Sequence, residues 1–61
     1  MRATMRNFRI RWTEDGRPRE SAVSYSGQVA EREVAAKRGN GATDVEMFEV
    51  DPMTGEELVR P

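Results

Sequence analysis

A chain of 61 residues is one small domain, and at that length folding buries only about 60% of the surface the unfolded form exposes, so its core is expected to be thin. Ten Lys and Arg against eleven Asp and Glu leave a net charge of −1, which excludes a polycation that coats nucleic acid by charge alone. The absence of Cys and His excludes disulfides, thiolate nucleophiles, zinc fingers and imidazole acid–base catalysis.

No apolar run approaches the roughly 20 residues of a membrane-spanning helix, and nothing near Met1 has the pattern of a secretory leader. The expected location is therefore the cytoplasm. Hydrophobic residues make up 36% of the chain, and six of those are Ala. A core of that size without staples supplies about 3–5 kcal/mol, so pairing two copies through a sheet edge is an inexpensive way to bury more.

Residues 1–6 show no periodicity and are expected to form a disordered tail, with residues 7–61 as a single α+β domain. From Phe8, apolar Phe8, Ile10 and Trp12 alternate with Arg9 and Arg11, the period-2 stripe of a strand with charge on its second face. Asp15-Gly16 is a hairpin signal, and the chain is expected to return over Glu20–Tyr25, with Val23 opposite Phe8 or Ile10. Pro18 cannot donate to a ladder, so either the turn is wider than two residues or the return strand lies at an edge.

Gln28 to Arg38 is rich in Ala, Glu, Lys and Arg and free of Gly and Pro, which predicts a helix capped by Ser26 or Gly27. Its buried stripe is read as Val29, Ala30 and Val34 with Ala36 alongside, and Gly39 is placed to end it in the left-handed region. Thr43 to Val50 reads as a third strand with imperfect alternation. Val45 and Met47 share one face while Phe48 and Val50 share the other, so either a bulge lies near Met47-Phe48 or both faces are partly covered. After the turn sequence Asp51-Pro52-Met53-Thr54-Gly55, residues Glu57 to Arg60 can return as a short fourth strand. The expected fold is α+β, a three- to four-stranded antiparallel sheet in ββαββ order with one helix on one face.

Charge is segregated along the chain. Residues 1–19 hold six Arg against Glu14 and Asp15, for +4, and residues 42–61 hold six acids against Arg60, for −5. Arg9, Arg11, Arg17 and Arg19 on the hairpin could grip phosphate, since an Arg fork matches phosphate oxygens and a two-stranded ribbon fits a major groove. Against that, Arg9 and Arg11 can be neutralised across the sheet by Glu20 and by acids of the third strand, and a pI of 5.4 opposes phosphate binding. Glu46, Glu49, Glu56 and Glu57 form a candidate acidic surface for a partner, whose other reading is a solvated, anti-aggregation face. Trp12 could anchor a partner, but its phase with Phe8 and Ile10 places it in the core. No nucleophile has a base beside it and no metal-ligand spacing is present, so no catalytic residue, metal or cofactor is assigned.

Two resemblances follow from these residues. The run from Ile10 to Arg38, with Trp12, Asp15-Gly16-Arg17, Arg19, Ser21, Tyr25 and then an Ala- and Glu-rich helix, resembles part of the arm-type DNA-binding domain of phage tyrosine integrases. That likeness implies a sheet entering a DNA groove with Arg9, Arg11, Arg17 and Arg19 outward. Over nearly the whole chain, Phe8-Arg9-Ile10-Arg11-Trp12, a short Ala-rich helix and the closing Phe48-to-Val59 segment resemble small ββαββ proteins of phages and mobile elements. This implies an accessory role without chemistry. The leading expectation is a small non-enzymatic binding module with a protein partner, no membrane and a homodimer through a sheet edge as one form. A DNA-binding module using the Arg hairpin is the alternative, and an acidic decoy of a nucleic-acid enzyme the third.

Overall fold

A computed structural model describes residues 6–58. Its elements are β1 (Asn7–Glu14), β2 (Arg17–Glu20), α1 (Gly27–Gly39) and β3 (Thr43–Val50), and the antiparallel sheet runs β2-β1-β3 with β1 in the centre. This is the α+β class, with one helix against one face of a three-stranded sheet.

Asp15 and Gly16 join β1 to β2 in the tightest available turn. Both sit in the left-handed region, at φ 52° and 74°, the combination whose twist suits a two-residue hairpin. The turn commits Arg17 to Glu14 at once and carries the register through Thr13↔Pro18, Trp12↔Arg19 and Arg11↔Glu20. Pro18 is tolerated because β2 is an edge strand.

The return strand therefore starts before the expected Glu20–Tyr25 and ends where that span was to begin. Ser21 explains the ending. Its N–H donates to the Ile10 carbonyl at 2.8 Å, and its buried Oγ accepts the Ile10 N–H at 3.0 Å and donates to the Val23 carbonyl at 3.0 Å. One side chain thus completes Ile10's pairing and lets the backbone bow outward. Val23 ends up 56% exposed instead of opposite Phe8 or Ile10. Pairing resumes at Tyr25, which exchanges two backbone bonds with Phe8 at 2.8 and 2.7 Å.

In α1, Ser26 occupies the N-cap position through its extended backbone, without a side-chain bond. Lys37 and Arg38 sit in the last turn, the negative end of the helix dipole. Gly39 remains helical, and the left-handed position expected there falls on Gly41 (φ 90°), because the reversal toward β3 comes two residues later. The buried stripe is narrower than expected. Ala30 and Val34, one turn apart, are buried, whereas Val29 is 39% exposed and Ala36 is exposed.

β3 has the expected bounds, and of the two alternatives expected for it the second holds, since both faces are partly covered; the strand's bulge lies at Asp44 and not near Met47-Phe48. Between Thr13↔Thr43 and Arg11↔Glu46, two residues of β3 oppose the single residue Trp12, and Asp44 takes φ 52°. Beyond the bulge the alternation is regular. Val45 and Met47 face α1, while Phe48 and Val50 lie on the other face; Phe48 is half-buried and Val50 fully buried.

Ile10, Ala30, Val34 and Val45 form the core, ringed by Phe8, Trp12, Tyr25, Ala42 and Met47. After β3, Asp51 Oδ1 accepts the N–H groups of Met53 and Thr54, and the chain folds back until Leu58 N–H meets the Glu49 carbonyl at 2.8 Å. The expected fourth strand is thereby reduced, among the described residues, to one bridge between Val50 and Glu57; Val59 and Arg60 lie outside them. Met1 to Met5 of the expected tail also lie outside, but Arg6 is fixed by two bonds to the Glu49 carboxylate, at 3.1 and 3.0 Å. No helix of the described residues is long and apolar enough to cross a membrane.

Candidate functional site

α1 covers one face of the sheet, and the other face carries the charged half of β1's alternation. Arg9 and Arg11 project there from the central strand, flanked by Glu20 on β2 and by Glu46 and Phe48 on β3. Arg9 reaches back to the end of β2. Its Nη2 lies 3.1 Å from Glu20 Oε2, and its Nε (3.0 Å) and Nη2 both donate to the Ser21 carbonyl.

Arg11 is the hub of this face. Its guanidinium carbon stands 4.1 Å from the centre of the Phe48 ring, Nη2 donates to Glu57 Oε2 at 2.9 Å, and Nε lies 2.6 Å from Glu46 Oε1. The buried Nε lacks a hydrogen bond of regular geometry, and its 2.6 Å contact with Glu46 is a close ion pair. Desolvation against the sheet pulls the guanidinium pKa down. The hydrogen bond and charge of Glu57, with the charge of Glu46, outweigh it, and the net shift is upward. Arg11 therefore stays cationic while tying β1, β3 and the fold-back segment together. Beside it an open groove of about 530 Å³ runs past Thr13, Pro18, Glu20 and Glu46.

The four hairpin arginines do not share a face. Arg9 and Arg11 lie on the bare face and are paired. Arg17 and Arg19 stand opposite Glu14 and Trp12, on the α1 side of the edge strand, exposed and with no carboxylate within 4.0 Å among the described residues. The four acids are divided as well. Glu46 and Glu57 serve Arg11; Glu49 lies on the α1 side with Arg6, whose pKa its hydrogen bond and charge raise; exposed Glu56 donates its N–H to Thr54 Oγ1 at 3.2 Å.

Sequence reasoning does not foresee three contacts: Arg11 stacked on Phe48, Arg11 paired with Glu57, and Lys37 Nζ 4.3 Å over the Trp12 ring. The Glu57 contact had a signal, because the Asp51-to-Gly55 turn brings Glu57 beside Val50, within reach of β1's charged face. Trp12 is half-buried against the core, its indole N–H donating to Glu14 Oε1 at 3.0 Å. Among the described residues no three His, Cys, Asp or Glu converge to hold a metal ion. The face opposite α1 sets Arg9 and Arg11 side by side with Glu20, Glu46 and Glu57 around the Phe48 ring.

The profile of a protein family described as Domain of unknown function (DUF8636) matches residues 9–54, from Arg9 in β1 to Thr54 in the turn after β3. No curated protein and no solved structure matches the chain.

Proposed function

The chain belongs to the DUF8636 family, and we propose that it is a small non-enzymatic binding module acting through a protein partner that docks on the bare face of its sheet. The observation that carries this reading is the Arg11 cluster, an Arg on an aromatic ring between two carboxylates at 2.6 and 2.9 Å. Arg and aromatic side chains are the residue types that anchor protein interfaces, and paired charges at a rim set orientation and on-rate more than raw affinity. For a phosphate to take Arg9 or Arg11 it must first displace a carboxylate, which weighs against nucleic acid on this face. An accessory role of phage or mobile-element type, as the resemblance implies, is the setting we propose.

A photo-crosslinking amino acid in place of Phe48, introduced in living cells, tests the reading. The expected result is a discrete protein adduct that resists nuclease and disappears when Arg11→Glu is added. Absence of an adduct, or one abolished by nuclease, overturns it. A second reading, a DNA-binding module, is favoured by exposed, unpaired Arg17 and Arg19 on the edge strand. It requires duplex binding that weakens steeply with salt and is lost in an Arg17→Glu/Arg19→Glu variant.

A further inference from the structure

The sheet's two edges are protected very differently. β2 is short, charged and carries Pro18, the devices that discourage another strand from pairing. β3 has eight residues and no proline. Its outward backbone groups can be assigned. Ile10 spends its N–H and carbonyl on Ser21, and Phe8 spends its own on Tyr25, so Met47 and Glu49, their partners across β1, turn theirs away from the sheet. The Glu49 carbonyl is taken by Leu58, and the Val45 carbonyl receives only a long 3.4 Å bond from Arg38. At Met47 neither backbone group has an outward partner among the described residues.

Directly above this edge, α1 exposes Glu31, Ala35 and Arg38 in a row, with a groove of about 470 Å³ between the row and the strand. Glu31 has no ionic partner among the described residues, and Arg38 has only the Val45 carbonyl. The row is self-complementary: an acid at one end, a base at the other, and a small residue at the centre. We propose that β3 and this row form the interface of a two-fold dimer whose occupant is a second copy of the chain. In it, Val45 and Met47 of one strand exchange backbone bonds with Met47 and Val45 of the other, Ala35 meets Ala35, and each Glu31 faces an Arg38.

α1 packs on both β1 and β3, and the small Ala35 at the centre of the row allows two helices to approach closely. On the opposite face Glu46 meets its own copy, each neutralised by its own Arg11 at 2.6 Å. The product buries the open stretch of each β3 edge, Val45 to Met47, against its copy, next to the fold-back that already holds Glu49 and Val50, an isologous closure that gives a thin core a larger one.

Sedimentation velocity of the full chain from micromolar to near-millimolar concentration tests this, with circular dichroism to confirm folding of each variant. The wild type is expected to reach twice the 6.9 kDa chain mass. Glu31→Arg and Arg38→Glu, each placing like charges opposite one another twice, are expected to weaken association at least about tenfold, and the double exchange E31R/R38E to restore it. The Met47 amide should gain hydrogen-exchange protection as concentration rises. A wild type that stays monomeric, single variants that dimerise normally, or a double exchange that fails to recover overturns the proposal. Crosslinking at Phe48 reads the other face of the same strand, and the mass of its adduct separates the two readings: twice 6.9 kDa reports the second copy, any other mass a different protein.

Discussion

Ser21 is polar and buried, and every polar atom it has is occupied: N–H and Oγ on Ile10 and Val23, carbonyl under the Arg9 guanidinium. Removing only its hydroxyl leaves the Ile10 N–H and the Val23 carbonyl without partners. Ser21→Ala is therefore expected to cost about 1–3 kcal/mol, read as a lower denaturation midpoint at unchanged slope in urea. Ser21→Thr keeps the oxygen and should lose less. A serine between Glu20 and Ala22 looks like any turn serine in sequence, since what distinguishes it is the pairing demand of Ile10, eleven positions away. By contrast Arg9 and Arg11 are legible as a charged stripe with Glu20 and third-strand acids as candidate partners, because alternation alone places them on one face.

The strands and the helix are legible wherever one pattern dominates. The alternation of Phe8, Ile10 and Trp12 marks β1, Asp15-Gly16 marks the turn, and the Gly-free run to Arg38 marks α1. Periodicity misplaces β2 because apolar Val23 and Tyr25 outweigh Arg17–Glu20, whose pairing follows from turn geometry and not from hydrophobicity. The bulge escapes for a related reason: it is recorded in the φ of Asp44, which no periodicity reports. Asp is among the few non-glycine residues that enter the left-handed region at modest cost. Asp44→Gly is expected to stabilise by up to about 1 kcal/mol and Asp44→Val to destabilise by about 1–2 kcal/mol, with thermal melting as the measurement. Equal effects of the two would mean that the bulge is not held by local conformation.

At the scale of the molecule, the described fold-back from Asp51 to Leu58 is attached by few groups: the Val50–Glu57 bridge, the Leu58 N–H, and the Arg11–Glu57 pair. Arg11 is the side chain that joins it to the central strand. Arg11→Gln is expected to speed hydrogen exchange at the Asp51 and Leu58 amides while leaving Ile10 and Val34 as slow as before, because the core lies on the other side of the sheet. Uniform acceleration would instead show that the fold-back and the core open together. The same two-sidedness limits what the sequence can say of the site. Segregated charge along the chain suggests a basic half and an acidic half, but a central β1 with β3 beside it interleaves the two.

The sole tryptophan lies on the sheet side that α1 occupies, with a lysine ammonium over one ring face and a glutamate on its indole nitrogen. Its emission is thus a gauge of whether helix and sheet remain docked. A ligand confined to the Phe48 ring lies across the sheet from the indole, whereas one that extends along the groove beside Arg11, which Trp12 also lines, can shift that colour; a dye placed beside Phe48 reports both.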